Sequence, residues 1–276
     1  YGFGTSEKSL AKALGSRRKE AVITTKFGVG YPDAPNYRDS TAKRVTESIE
    51  KSLKCLGTDY IDVYLVHWPD RATPFDQTVR ALDDLVKQGK VRAIGLSNFR
   101  LNEIEACMSA RRIDLVQYCW NMFDRRMQKE IFPYCREHNI GVMAYGSLAY
   151  GMLTGTLSEE KTFAKDDWRS NRGKLANINL FQHLFGPDHF LKNLRAVEDL
   201  RGLAQRYGKT LPQLALRWTL TNPLISTALV GCRNAREVDD NAGALGWSIS
   251  DADMKEIDAI FARHGAITMP DTWLES

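Results

Sequence analysis

What most constrains this chain is an alternation that recurs through most of its 276 residues: short β-branched and aliphatic runs, each followed by an amphipathic helical stretch. Strands joined this way lie parallel, because parallel neighbours need a long crossover and a helix is the usual one. Strands are expected at 22–27, 60–67, 91–97, 115–120, 141–145 and 226–231. Between the first two, Val45, Ile49, Leu53 and Leu56 fall at helical spacing. Val79, Leu82, Leu85 and Val86 repeat it ahead of a stop at Gly89, and Phe132 and Cys135 renew it.

The rhythm breaks over 154–190, where aromatics, scattered charges and Gly-Pro punctuation show no clear period. Helices are expected again at 191–206, at 211–220 with Pro212 in a first turn, and at 251–264 before a C-terminal tail, 265–276. With no linker or internal repeat, residues 1–276 read as one domain. Strand–helix units in this number nearly fill a (β/α)8 TIM barrel. The chain opens on Tyr1 and not on Met, so the first barrel strands are expected upstream of it. A doubly wound sheet is the competitor, but no strand leads into a G-x-G-x-x-G turn; Gly2-Phe3-Gly4 lacks the third glycine.

Charge narrows the function. Thirty-eight Lys and Arg against 34 Asp and Glu leave an excess of only +4, too diffuse to point to nucleic acid, though compatible with a small anionic ligand. No apolar run approaches the roughly 20 residues that span a bilayer, so no membrane role is expected. Five cysteines without a C-x-x-C pair suggest neither disulfides nor zinc and fit a reducing cytoplasm. The histidines, His67, His138, His183, His189 and His264, lack metal-ligand spacing, which disfavours a metal-dependent hydrolase.

Barrel chemistry gathers where strands end. Lys26 closes one apolar run and His67 another. Taken singly, they read as a snorkelling lysine and a hydrogen-bonded core histidine. Tyr1 changes that. Free tyrosine has a pKa of about 10, too high for ready proton exchange near neutrality, and a neighbouring ammonium lowers it. A neutral imidazole would then orient a carbonyl while the phenol protonates its oxygen.

Four segments, Tyr1-Gly2-Phe3-Gly4-Thr5-Ser6-Glu7, residues 22–28, residues 59–69 and Gly95-Leu96-Ser97-Asn98-Phe99, resemble successive motifs of the aldo-keto reductases, in that family's order. The likeness runs through nearly the whole chain, and the later segment 162–169 resembles a bacterial branch with sugar and inositol catabolic members. It implies a TIM barrel that binds NADP(H), with NAD(H) the lesser alternative, and reduces carbonyls with an Asp, Tyr, Lys and His tetrad. Tyr1, Lys26 and His67 match three of these, and the Asp would precede residue 1.

The same resemblance places the cofactor. Ser97, Asn98 and Gln117 match the trio that binds the carboxamide, and Tyr145 the aromatic under the nicotinamide ring. Gly146 and Leu148 lie where many members read Ser and Leu, so Gly151 and Leu153 backbone groups are expected to take over a diphosphate contact. Gly231, Arg233, Arg236, Glu237, Asp240 and Asn241 form the adenosine end, Arg233 being the choice for the 2'-phosphate and Arg236 the reserve. Read alone, Ser97-Asn98 is a helix cap and the two arginines a solvated helix start. Gly231 replaces a Lys and Glu237 an Arg or Gln of other members, which weakens the case for NADP over NAD.

Trp68, Tyr31 and Trp120 beyond strand ends, with Phe163, Trp168, Arg169, Arg172, Phe181 and Phe185 in the irregular segment, suit a small carbonyl substrate, polyhydroxylated or a simple aldehyde. The alternative is that these aromatics only pin the loop. A noncatalytic, NADP(H)-binding regulatory subunit is the other functional reading, and a homo-oligomer is compatible with either.

Overall fold

The computed structural model describes residues 2–30, 38–165, 167–171 and 181–266, divided between two compact units, Tyr1–Gln117 with Tyr134–Gly141 and Tyr118–Pro133 with Val142–Ser276. Tyr1, Tyr31, Arg172 and the tail from 267 lie outside the described residues.

In the first unit, helix α1 (Thr5–Leu14) precedes strand β1 (Thr24–Phe27), which opens later than the expected residue 22. Val22 is 78% exposed, and Ile23 gives its N–H to the Asp62 carboxylate at 2.9 Å. Helix α2 (Ala42–Leu56) begins where Thr41 Oγ1 accepts the Arg44 N–H and stops at Gly57, whose φ of +61° ends it in the left-handed region. Its Val45, Ile49, Leu53 and Leu56 are buried, as their spacing predicts. Strand β2 (Ile61–Val66), helix α3 (Phe75–Lys87), strand β3 (Val91–Ser97), helix α4 (Leu101–Ala110) and strand β4 (Leu115–Cys119) follow in that order.

Side chains alternate along a strand, so residues paired side by side in a parallel ladder share a face. Lys26 pairs with Leu65, Leu65 with Gly95, Gly95 with Leu115, and Ser97 with Gln117. The first ladder continues one step past β2, where the His67 N–H donates to the Phe27 carbonyl at 2.9 Å. Lys26, His67, Ser97 and Gln117 therefore share one face near the C-terminal strand ends. Thr25, Phe27, Tyr64, Val66, Ile94, Leu96 and Val116 occupy the opposite face and are buried.

Helix α5 (Ile131–Glu137) leads to strand β5 (Gly141–Tyr145), which pairs in parallel with strand β6 (Ile225–Ala228) in the second unit. The expected strand 226–231 thus starts one residue earlier and ends three sooner; the Leu229 N–H still reaches the Ala144 carbonyl at 2.7 Å. Helices α6 (Gln182–Phe185) and α7 (Pro187–Arg206) occupy part of the segment read as irregular. Pro187 opens α7 from its first turn, four residues ahead of the expected start, because proline has no N–H to leave unsatisfied there. Helices α8 (Leu211–Thr219), α9 (Ala235–Ala242) and α10 (Asp251–His264) complete the unit, the last with the bounds read from the sequence. In the first unit β1, β2, β3 and β4 pair in sequence order, and in the second β5 pairs with β6.

Candidate active site

Burial sets the chemistry of the two bases in the first unit. It lowers the Lys26 pKa from its ordinary 10.5 to about 8. Burial, reinforced by the Lys26 charge, lowers that of His67 to about 4. Near neutrality one carries a charge and the other does not, the division that polarising a phenol and orienting a carbonyl would require.

Beside them, Ser97 Oγ donates to the Gln117 carbonyl at 3.0 Å and accepts from Asn98 Nδ2 at 3.1 Å. The same Nδ2 donates to the His67 carbonyl at 3.0 Å, and the Asn98 backbone is left-handed, with φ at +65°. Ser97 and Asn98 are not the cap of α4. Glu103 closes that first turn by accepting the Arg100 N–H at 2.8 Å. Ser97, Asn98 and Gln117 are all buried, and their hydroxyl and amides offer both donors and acceptors, the set a carboxamide needs. Trp68 carries the Arg38 guanidinium 5.1 Å from its ring centroid.

In the second unit, the Trp120 N–H donates to the Tyr145 carbonyl at 3.2 Å. Burial raises the Tyr145 phenol well above its ordinary pKa and keeps it neutral. Gly146 has a reason to lack a side chain: at φ +65°, a Cβ there would lie 3.0 Å from Cys119 Sγ and 3.3 Å from the Tyr150 ring. The expectation for Gly151 and Leu153 meets a different arrangement, because both N–H groups already donate to the Leu148 carbonyl, at 3.0 and 3.2 Å. A tight turn with Ala149, Tyr150 and Gly151 at positive φ brings them there.

The adenosine-end candidates lie around the start of α9. Asn234 caps it by accepting the Glu237 N–H at 3.0 Å. Arg233 is exposed but engaged: Nε and Nη2 reach Glu237 Oε1 at 2.9 and 2.7 Å, and its N–H reaches Oε2 at 2.8 Å. This pairing holds the Glu237 carboxyl below the ordinary range. Arg236 faces Asp240 at 3.9 Å, Asn241 Nδ2 contacts Cys232 Sγ at 3.3 Å, and the space where a Gly231 side chain would stand is open.

Trp120 is 4% exposed, stacked on Trp218 at 5.1 Å and edge-on to Phe132 at 4.8 Å, a core position. Phe163 packs against Phe185 and lies under the Arg169 guanidinium, and Phe181 packs on Tyr150, so these aromatics do pin the segment. Among the described residues no cluster of His, Cys, Asp or Glu could hold a metal, and no helix is long and apolar enough to cross a membrane.

Sequence reasoning missed several polar residues that build these loops. Asn121 Oδ1 accepts the Phe123 and Asp124 N–H groups, its Nδ2 donates to the Gly146 carbonyl, and Asp124 forms a buried ion pair with Arg126. Asp70, Arg71 and Glu103 tie together the loops around His67. Asn121 and Asp124 turn the chain locally and could have been read as a turn signal, whereas the Gly146, Ser40 and Glu103 partners lie about 25 to 32 residues away and leave no mark in spacing.

A parallel α/β sheet with its polar groups at C-terminal strand ends fits the class of (β/α)8-barrel proteins. Within that class, residues 1–262 match the Aldo/keto reductase family, and the chain belongs to it. It is 36% identical over 263 residues to the aldo-keto reductase YhdN of Bacillus subtilis (strain 168), covering 94% of this chain and 76% of that protein. It is 33% identical over 267 residues to the NADH-specific methylglyoxal reductase of Escherichia coli (strain K12), covering 92% and 78%. The structure of the glycerol dehydrogenase AKR11B4 from Gluconobacter oxydans superposes with a TM-score of 0.84 at 36% identity, over 99% of this chain and 82% of that one.

Proposed function

We propose that this chain is a carbonyl reductase that uses NADP(H), accepts NAD(H) less well, and converts a small aldehyde or ketone to an alcohol. The bound nicotinamide supplies a hydride to the carbonyl carbon. Tyr1 gives its phenolic proton to the carbonyl oxygen, so that one hydride and one proton reduce the C=O bond to an alcohol. Lys26 favours the phenolate left behind, and neutral His67 orients the oxygen. Ser97, Asn98 and Gln117 would hold the carboxamide, Tyr145 would offer its ring to the nicotinamide, and Arg233 would meet the 2'-phosphate.

The observation that carries this reading is the pair of bases at neighbouring strand ends, sharing one face and shifted in pKa so that only the lysine is charged near neutrality. The relatives named for methylglyoxal reduction and glycerol oxidation support a small polar or polyhydroxylated substrate.

The test is oxidation of NADPH or NADH with a panel that includes methylglyoxal and glyceraldehyde. Tyr1→Phe is expected to lower kcat about 10²- to 10⁴-fold while cofactor still quenches tryptophan fluorescence with unchanged Kd. Wild-type turnover in that variant overturns the assignment. Cofactor binding by the wild type without turnover on any carbonyl points instead to a regulatory subunit.

A further inference from the structure

The loop that follows His67 contains an acid and a base side by side that reach in opposite directions. Asp70 is 6% exposed and turned toward the loop after β1. Its Oδ2 accepts the Ser40 N–H at 3.0 Å and the Thr73 hydroxyl at 2.7 Å, while Oδ1 accepts the Ala72 N–H at 3.0 Å. Ser40 is itself 2% exposed, its carbonyl accepts the Thr78 hydroxyl at 2.8 Å, and the neighbouring Asp39 N–H returns to the Gly28 carbonyl at 3.2 Å. Asp70 thereby closes the connection that leaves β1 two residues beyond Lys26.

Arg71 turns the other way. Its Nε donates to Glu103 Oε1 at 2.7 Å, and Glu103 Oε2 accepts the Arg100 N–H at the start of α4. Glu103 is 6% exposed while the Arg71 side chain keeps 39% of its surface in solvent, so the pair lies at the edge of the buried region. Arg71 thus ties the same loop to the helix that follows Ser97 and Asn98. Asn98 adds a third tie by holding the His67 carbonyl.

We propose that Asp70 and Arg71 act together as a positioning device for the reducing site, locking the loop after β2 to its neighbours on both sides so that Lys26, His67 and Asn98 keep their spacing. This rests on the reductase reading given above. Neither residue touches the reacting atoms; both act through the loop carrying His67 and the Arg38–Trp68 stack. A hydride and a proton must arrive at two adjacent atoms together, and misplacement by about 1 Å can cost two orders of magnitude in rate. Two ties pulling in opposite directions resist that displacement better than one.

The experiment compares the wild type with Asp70→Asn, Arg71→Met, Arg71→Lys and Thr73→Val, the last removing a single donor should the Asp70 variant fold poorly. Each is assayed well below its Tm with the same carbonyl panel, and cofactor Kd is read separately from fluorescence. Asp70→Asn and Arg71→Met are expected to lose about 10- to 100-fold in kcat. The change in KM and in cofactor Kd is expected to stay within about twofold; because loss of folded protein also lowers apparent kcat at constant KM, each rate is divided by the fraction of sites that bind cofactor in the fluorescence titration. Thr73→Val shows a smaller loss of the same kind, and Arg71→Lys recovers part of the rate because an ammonium can still reach Glu103. Folded variants with wild-type kcat overturn the proposal, as does a rate loss that the unfolded fraction fully explains. A wild type with no turnover on any carbonyl overturns the reductase reading and this proposal together, whereas an active wild type with equally active variants removes this proposal alone.

Discussion

Lys26 and His67 meet opposite consequences of the same burial. A buried ammonium resists carrying charge, yet at about 8 Lys26 still holds its proton through neutrality, while His67, at about 4, has already lost its own. From roughly pH 5 to 7 the pair therefore stays in one state, positive lysine and neutral imidazole, and kcat for reduction is expected to be flat there. As pH rises through about 8 the ammonium is lost, the phenolate loses its partner, and the rate falls. Stability moves the other way. Between the folded pKa of about 8 and the ordinary 10.5, the unfolded chain binds more protons at this site than the folded one, so the Lys26 contribution to stability improves as pH rises. Lys26→Met is expected to abolish the alkaline limb and lower kcat about 10²-fold or more. Its Tm relative to wild type should show the largest gain below pH 8, where the native ammonium is buried at full cost. A pH profile that keeps its alkaline limb in that variant would assign the limb to another group.

Strand β3 shows how an element brings these residues together, and Gly95 is its tightest point. A Cβ there would stand 2.4 Å from the Leu115 carbonyl oxygen and 2.6 Å from a Leu65 methyl carbon, between the two neighbouring strands. Backbone cannot yield as a flexible side chain can, so Gly95→Ala is expected to cost about 1–3 kcal/mol by urea denaturation, with wild-type stability counting against the close approach. The sequence made β3 and β5 legible to the residue because each is built on a short apolar run, Ala93-Ile94-Gly95-Leu96 and Val142-Met143-Ala144. It misjudged β1, since Val22 suits a strand by type yet lies exposed beyond its end. It also missed α6 and the first turn of α7, where Gly186-Pro187 reads as punctuation although proline is at home in a first helical turn. Lys26 and His67 were visible as polar residues ending apolar runs. Asp70 and Arg71 were not, because their meaning depends on partners some 30 residues away in sequence, Ser40 and Glu103.

Over the whole molecule the formal charge is +4, but that excess does not collect around the start of α9. Around the start of α9, Arg233 and Arg236 are answered by Glu237, Asp239 and Asp240, and Arg233 is bound by Glu237 through both its backbone and its guanidinium. A 2'-phosphate bringing about −1.5 to −2 charges would have to displace that carboxylate or sit beside it. The positive charge elsewhere contributes little, since exposed charges are screened beyond about 8 Å at physiological salt. On the assignment of Arg233 to the 2'-phosphate, preference for NADPH over NADH is then set by competition between two anions for one guanidinium. Glu237→Gln keeps the size of the side chain and removes its charge. It is expected to raise the NADPH-to-NADH ratio of kcat/KM by about tenfold, the scale of one charge-assisted hydrogen bond, and to do so mainly through the KM for NADPH. Higher salt should narrow the gap between variant and wild type, because the pair lies in solvent. An unchanged ratio would place the phosphate away from Arg233, with Arg236 the next residue to test.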